Sequence, residues 1–391
     1  MKNTKLLFIL ISIFFVSQNV FADTIVKTKP KFIYKIDNLT YFDNRLFYLP
    51  YHQPMLFFGD RLTALGGLGL NKEGDHKLYA GLTANIFFGN NFKNYAFMPM
   101  VYYRFEKDFP RKQKKCIGCE HTLKLNFGIL PYREMEMTFP GFIRRGSTEY
   151  TAPNLQGALL QYNFGVKLLL EYAVDWRKMK THIQRDNYGM ILAVTWKQFF
   201  VTDVSGGIAT AKKLMDIGVI AQWDRLGHSD SIKNNVDNIV INPFVKADFA
   251  PLTKNFKTIF LQIGYLGSFS NDNIFINKKW NNSLLVDCGI QWKMITLKNS
   301  LYISLNQEKD GNLMPLHQYY PELYISDHYY RAPLYNKTEL AFDLINIKSI
   351  FTLKAQFLMH YVPKSVFNDL PNKNDFKSFG WQQRITANVK F

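Results

Sequence analysis

Long stretches of two-residue alternation between apolar and polar side chains restrict the fold of this chain more than any other feature. Residues 280–294 are the clearest example, and residues 349–361 and 77–88 divide in the same way. In the first example one face carries Trp280, Leu284, Val286, Cys288, Ile290, Trp292 and Met294, and the other carries Asn281, Ser283, Asp287, Gly289, Gln291 and Lys293. A period of two places successive side chains on opposite faces of a strand, so the pattern predicts β-strands between an apolar and a polar medium.

The length of these strands separates two classes of β-protein. Soluble antiparallel sandwiches also alternate, but their strands cluster near five or six residues, whereas membrane strands need about nine to eleven. The candidate strands here run to about 10 to 14 residues, and Trp280 and Trp292 lie at the ends of an apolar face, as in the aromatic girdles of membrane barrels. In hydrocarbon a sheet satisfies every backbone donor and acceptor only if it closes. The sequence therefore predicts an all-β fold, a transmembrane antiparallel β-barrel.

About 16 candidate strands can be counted, and an even number is expected when both termini lie at one end; 14 and 18 are the alternatives. They start near residues 61, 77, 94, 121, 155, 165, 187, 198, 216, 236, 256, 280, 299, 336, 349 and 380. Residues 57–391 are then the barrel. Residues 23–56 are left as an N-terminal periplasmic or lumen segment.

The first 22 residues have the layout of a cleaved secretory signal peptide. Lys2 and Lys5 precede an apolar run from Leu6 to Val16, and Val20-Phe21-Ala22 ends in the small residue that is expected at a signal-peptide cleavage site. An uncleaved interfacial helix is the alternative. No later apolar run approaches the roughly 20 residues of a membrane helix, which excludes a polytopic helical protein. The formal net charge of +17 indicates anionic partners, and the export signal argues against nucleic acid among them.

The chain ends inside an amphipathic strand. Trp381, Ile385, Ala387, Val389 and Phe391 share one face, opposite Gln382, Arg384, Thr386, Asn388 and Lys390. Together with the secretory signal, this end resembles the Gram-negative outer-membrane β-barrels, the porin-like proteins. The resemblance implies location in the outer membrane, contact with its lipid and lipopolysaccharide, and an assembly signal in Phe391 that the barrel-assembly machinery reads. Val389 stands where that family commonly has tyrosine, and the resemblance names no substrate.

Basic side chains dominate the predicted inward faces of the last strands. The predicted pore-lining residues are Lys293, Lys337, Lys354, His360, Arg384 and Lys390. They are set against Glu339 and Asp343, so a pore lined in this way would concentrate anions. Alternatively, these side chains pair across strands and only make the lumen polar.

Residues 131–153 contain no strand long enough to cross a membrane, and irregular segments of this length are usually functional or mobile. Their candidate constriction residues are Arg133, Glu134, Glu136, Arg144, Arg145 and Glu149. One interpretation is a loop that folds inward and narrows the channel with these opposed charges. The other, simpler one is an external loop whose charges meet solvent and lipopolysaccharide.

Cys116 and Cys119 form a CxxC pair beside His121, after the basic run Arg111–Lys115. A zinc site needs four ligands, and no second cluster has matching spacing. In an oxidising compartment a local disulfide between Cys116 and Cys119 is the simplest prediction, with two free thiols as the alternative. The basic run is expected in an external loop that contacts lipid phosphates.

The sequence contains no P-loop, nucleophile elbow or dinucleotide motif, so no cofactor, metal or enzymatic activity is predicted. The function that fits best is an outer-membrane channel for passive or weakly selective passage of small, anionic solutes. An envelope-assembly or polysaccharide-export barrel without channel activity is one alternative. A hydrolase at the rim, using a histidine such as His182, His228, His317 or His328, is another. Association into a homo-oligomer is left open.

Overall fold

The chain forms a closed antiparallel barrel of 16 strands in the order β1 to β16, each paired with its neighbours in sequence. In this computed structural model the described residues are 31–46, 55–70, 75–89, 92–109, 121–137, 140–143, 153–165, 167–178, 185–205, 208–228, 235–250, 253, 255–272, 278–305, 330, 332–348, 350–364 and 377–391. The predicted signal peptide, residues 1–22, lies outside them. No helix among the described residues is long and apolar enough to cross a membrane.

The first eight strands are β1 (Lys31–Leu46), β2 (Met55–Gly69), β3 (His76–Gly89), β4 (Phe92–Phe109), β5 (His121–Pro131), β6 (Asn154–Phe164), β7 (Leu168–Lys178) and β8 (Asn187–Ser205). The last eight are β9 (Ile208–Leu226), β10 (Val236–Asp248), β11 (Thr258–Asp272), β12 (Lys278–Trp292), β13 (Ile295–Ser304), β14 (Leu334–Ile347), β15 (Phe351–Tyr361) and β16 (Phe379–Lys390). A 3-10 turn, Tyr132–Glu134, follows β5.

The barrel closes where β1 pairs with β16, in a register that runs from Asp37 opposite Lys390 to Leu46 opposite Trp381. The backbone N–H of Ile36 donates to the carbonyl of Phe391 at 3.0 Å, and the N–H of Phe391 donates back to Ile36 at 2.8 Å. Closure removes the two free edges of the sheet, which a hydrocarbon environment would not tolerate. The beginning of β1 and the end of β16 share one end of the barrel, which we call the termini end.

Two expectations about the strands are wrong, and they compensate in the count. Residues 23–56 are not a separate segment, because Lys31–Leu46 forms β1 and pairs along its length with β2 and with β16. The barrel therefore begins at Lys31 and not at residue 57. Conversely, the starts expected near 187 and 198 belong to one strand, Asn187–Ser205.

The side chains alternate as expected in most of the wall. On β12, Trp280 and Trp292 face outward and are nearly half exposed, whereas Asn281 and Ser283 face the lumen and are buried. Lys293 departs from the prediction: β12 ends at Trp292, and Lys293 lies in the two-residue turn to β13 with a positive φ of 50°. Its ammonium group lies 4.8 Å from the centre of the Trp292 ring, so Lys293 does not line the wall.

Two predictions fall on the connection between β4 and β5. The connection between β4 and β5, residues 110–120, lies outside the described part of the chain, and so do Cys116 and Cys119. Phe109 and His121, the described residues on either side of it, pair at the termini end. The disulfide and the external location expected for the basic run Arg111–Lys115 stay predictions.

Candidate functional site

The connection between β5 and β6 folds into the lumen. Phe142 and Ile143 are 1% and 0% exposed. Both belong to an apolar cluster with inward residues of the opposite wall, among them Ile191, Val240 and Leu285. The described part of this connection is therefore an inward loop, and its interpretation as an external loop is wrong.

Glu134 is the most strongly held charge of the inward loop. Its carboxylate accepts hydrogen bonds from the Lys35 ammonium at 2.8 Å, the Arg104 guanidinium at 2.5 Å and the Tyr102 hydroxyl at 3.2 Å. Burial by itself would raise the pKa of Glu134, but the positive charges of Arg104 and Lys35 outweigh it and lower that pKa to about 2. Glu134 is therefore ionised at neutral pH and ties the loop to β1 and β4.

Further contacts hold the rest of the loop to the wall. The Lys124 ammonium donates to Glu136 at 2.8 Å, and burial is again outweighed, so the pKa of Glu136 is lowered by Lys124 and Asn163. The backbone N–H groups of Glu136 and Met137 donate to the Glu171 carboxylate at 2.6 and 2.9 Å. These bonds fix the loop on the β5–β7 side of the lumen, while Phe142 reaches the other side.

A second segment also enters the lumen, just before β14. Tyr330 is 4% exposed, and its ring makes edge contacts with Phe142 at 6.0 Å and with Tyr302 and Tyr335 at 5.2 Å each, measured between ring centres. Tyr335 in turn stacks on His360 and shares a 2.7 Å hydrogen bond with it. Apolar and aromatic side chains from β8 to β14 thus pack together inside the lumen with the two inward segments.

A cavity of about 420 Å³ remains beside β14–β16 and β1, in the half of the barrel nearer the termini end. Its lining residues are Leu39, Arg133, Asp343, Ile345, Asn346, Thr352, Leu353, Lys354, Gln356, Arg384, Thr386 and Asn388. Three of these side chains are cationic and only Asp343 is anionic. Lys354 and Asp343 are register partners on adjacent strands.

The wall beside the cavity carries a surplus of positive charge. Arg45 and Arg384 both contact the buried Asp43 carboxylate, at 2.6 and 3.6 Å. On β1, Asp37 binds Arg133 of the inward loop and lies 3.3 Å from the Arg61 guanidinium. Four guanidinium groups therefore share two carboxylates, which leaves this cluster with a formal charge of +2.

The predicted pore-lining residues have different locations. Lys354 and Arg384 line the cavity, together with Arg133 of the inward loop. Lys337, His360 and Lys390 lie on inward-facing positions of the wall without lining it; His360 is buried and bonded to Tyr335. Arg144, Arg145 and Glu149 lie outside the described residues.

Sequence reasoning missed the partners that hold the inward loop, chiefly Lys35, Asp37 and Asp43 on β1. A usable signal was two pairs of charged residues on one face of β1, Lys35 with Asp37 and Asp43 with Arg45, separated on that face by Leu39 and Tyr41. The apolar Leu39 and Tyr41 between the two pairs break the polar face that alternation would identify as an inward strand face.

Within the described part of the chain, no three His, Cys, Asp or Glu side chains are grouped so that they could hold a metal ion. Cys288 is a free cysteine on the outer face, and His228 is exposed beyond the end of β9. His182, His317 and His328 fall outside the described residues.

No protein-family model matches this chain, and no curated protein matches it. Solved structures with a similar fold include OmpT of Vibrio cholerae with loop L8 deleted, an outer membrane protein, at 8% identity and a TM-score of 0.50, covering 93% of this chain and 100% of that one. OccK9 (OpdG) of Pseudomonas aeruginosa has 10% identity and a TM-score of 0.49, and the match covers 92% of this chain and 98% of that one. OprD of the same organism has 9% identity and a TM-score of 0.47, and the match covers 92% of this chain and 95% of that one. At these identities the likeness concerns the fold alone, a closed β-barrel of 16 antiparallel strands.

Proposed function

We propose that this protein is an outer-membrane channel for passive passage of small solutes and that it favours anions. The observation that carries the proposal is the cavity left by the inward segments, whose lining includes Arg133, Lys354 and Arg384 but only one carboxylate, that of Asp343. The apolar outer face and the closed ladder of β1 and β16 support insertion into a bilayer. The predicted signal peptide and the assembly signal at Phe391 belong to the same proposal.

Fixed charges in a narrow aqueous path select ions because the walls have a low dielectric constant and focus the field. Asp37 and Asp43 hold the arginines next to the cavity in place, but they neutralise only part of the positive charge of those arginines. Lys354 adds a charge on a flexible stem opposite Asp343. An anion passing the cavity therefore meets more attraction than a cation.

The size of the cavity sets the size of the solute. A volume of about 420 Å³ lies near the lower end of the range of small-molecule sites, roughly 300 to 1,000 Å³. The barrel alone would leave a wider lumen, because 16 strands normally enclose an aqueous channel. The inward loop and the segment at Tyr330 reduce it on one side.

Conductance across a planar bilayer tests the proposal directly. The purified, refolded protein should give stepwise currents, and in a tenfold KCl gradient the reversal potential should lie toward the chloride equilibrium potential. A cation-directed reversal potential would reject the anion preference. Complete absence of conductance would reject the channel and favour the envelope-assembly alternative.

Deleting residues 134–148 tests the role of the inward loop. Loss of the Glu134 contacts and of the Phe142 packing should open the lumen, so single-channel conductance should rise. Heat-dependent migration on gels identifies folded barrels in the same sample. Unchanged conductance from folded barrels would show that the loop does not limit the path.

A further inference from the structure

The outer face of the barrel carries a histidine bonded to a tyrosine at two places near the termini end. At the first place His76, the first residue of β3, shares a hydrogen bond of 2.5 Å between its Nδ1 atom and the Tyr103 hydroxyl of β4. The ring centres of His76 and Phe105 lie 5.1 Å apart. Alternation from Leu78 and Val101, which are 41% and 55% exposed, places all three side chains on the outer face.

The second place repeats the first on β5 and β6. His121, the first residue of β5, shares a hydrogen bond of 2.7 Å between its Nδ1 atom and the Tyr162 hydroxyl, and its ring meets that of Phe164 edge-on at 4.1 Å between ring centres. In both places the histidine and tyrosine ring centres are 6.0 Å apart. Phe164 is 40% exposed, so this group also faces outward. Each imidazole is therefore held by a hydroxyl and an aromatic ring from the next strand.

Lys107 lies between the two histidines on the same face. On β4 it is two residues beyond the partner of His76, and it is opposite Leu123, which is two residues from His121. With strands tilted by about 40°, about 4.8 Å apart and rising about 3.3 Å per residue, Lys107 is roughly 8 Å around the barrel from either histidine, and the three differ in height by about 4 Å at most. The Lys107 ammonium is paired with the Asp75 carboxylate at 2.5 Å.

This row of side chains changes its charge with pH. Histidine is the side chain that ordinarily gains a proton between pH 8 and 5. The other titratable or charged groups beside the two rings on the outer face are Asp75, Tyr103, Lys107 and Tyr162, while Glu106 and Asp108 of β4 belong to the lumen face. Lys107 and Asp75 cancel, so the row is neutral with neutral rings and carries +2 when both are protonated. A protonated ring donates from both nitrogens, so the tyrosine oxygen accepts and its own hydrogen can point outward.

We propose that the row of His76, Lys107 and His121, with the two tyrosines, binds the phosphate groups of anionic phospholipids in the leaflet at the termini end, and binds them more strongly at pH 5.5 than at pH 7.5. The inference rests on the proposed location in a membrane and concerns the outer face, not the channel. A phospholipid fits better than free phosphate because Val101 and Phe127, further from the termini end, are more than half exposed. Phosphate at the row and acyl chains above it match this order of polar and apolar groups.

The size of the effect follows from the added charge. Each positive charge beside an anionic lipid surface raises affinity by a factor of about five. Phosphatidylethanolamine has no net charge and phosphatidylglycerol has one negative charge, so the ratio of the two affinities isolates this contribution. The preference for phosphatidylglycerol should rise by roughly 5- to 25-fold between pH 7.5 and pH 5.5, depending on whether one or both rings are protonated.

The test counts lipids bound to the refolded protein in mild detergent by native mass spectrometry, with dioleoyl phosphatidylglycerol or dioleoyl phosphatidylethanolamine added at each pH. His76→Phe combined with His121→Phe should abolish the rise in preference, because the rings remain but the titrating nitrogens are lost. His228→Phe is the matched control, since it removes an exposed histidine at the other end of the barrel, and it should keep the rise.

Tyr103→Phe combined with Tyr162→Phe separates the charge from the hydroxyls. Both imidazoles still titrate, so the dependence on pH should remain while the affinity for phosphatidylglycerol at pH 5.5 falls. Heat-dependent gel migration identifies folded barrels, and conductance should be the same in every variant because these side chains face away from the lumen.

Two results would overturn this inference and leave the channel proposal intact: an affinity ratio that does not change with pH, or an unchanged rise in the variant without His76 and His121. Lipid binding with the predicted dependence on pH, by a protein that never conducts, would do the reverse.

Discussion

Reversing the charge of Lys354 should reverse or abolish the anion preference of the channel. A sphere of about 420 Å³ has a radius of roughly 5 Å, so an ion at the centre of the cavity lies about 5 Å from the lining charges. Changing +1 to −1 at that distance in water changes the energy of a monovalent ion by about 1.7 kcal/mol, and screening at about 0.1 M salt reduces this to about 1 kcal/mol. An energy of about 1 kcal/mol changes the population of an ion in the cavity roughly fivefold, downward for chloride and upward for potassium.

The assay is the reversal potential of Lys354→Glu in a tenfold KCl gradient. The chloride-to-potassium permeability ratio should fall by roughly 10- to 30-fold, which moves the potential by some tens of millivolts toward potassium. Lys354→Gln changes the charge by one unit instead of two, so its reversal potential should lie between those of the unsubstituted channel and Lys354→Glu. Lys167→Glu carries the same charge change in the exposed turn between β6 and β7, away from the cavity, and should leave the potential nearly unchanged. Equal shifts for Lys354→Glu and Lys167→Glu would refute the reasoning, because the cavity would then not be the selective part of the path.

Three other predictions concern the inward segments. Glu134→Gln leaves the buried Arg104 and the partly exposed Lys35 without their carboxylate, so the loop should loosen: the temperature at which the barrel unfolds on gels should fall and the open-channel current should become noisier. Because the pKa of Glu134 is depressed to about 2 from an ordinary value near 4.5, its stabilisation is present above the ordinary value and lost as pH falls through the folded one. Conductance should therefore be constant from pH 7 to about 4 and change only below about 3; a transition near pH 4 to 5 would contradict the ion pairs. Tyr330→Ala removes the ring that packs between Phe142 and the wall, and should destabilise the barrel by about 3 kcal/mol in denaturant titrations, whereas an unchanged midpoint would show that this segment is not packed there.

Alternation identifies a strand only where one face meets lipid and the other meets water. It succeeded on β12, where Trp280 and Trp292 face outward opposite Asn281 and Ser283. It failed on β1, because Asn38 and Thr40 face outward and Leu39 and Tyr41 face inward. That inversion has a structural reason: the outward Asn38 and Thr40 donate hydrogen bonds to Asp60 of β2, and the inward Leu39 and Tyr41 form a buried cluster in the lumen.

The inward loop could not be deduced from composition, since an external loop can carry the same charges. Its position depends on partners that are distant in sequence: Glu134 meets Lys35, 99 residues away, and Arg133 meets Asp37, 96 residues away. The apolar residues that cluster with Phe142, such as Leu285, lie on strand faces that are otherwise polar. Only the closed barrel brings them together.

The most direct test of the account is whether the cavity is the water path and its wall has the predicted inside and outside. Gln356 lines the cavity, whereas the next residue, Phe357, faces outward and is 37% exposed. In a background in which Cys116, Cys119 and Cys288 are replaced by serine, a charged water-soluble thiol reagent should change the conductance of Gln356→Cys channels within seconds. It should leave Phe357→Cys channels unchanged. Equal modification of both, or of Phe357→Cys alone, would contradict the inward-facing cavity on which the function depends.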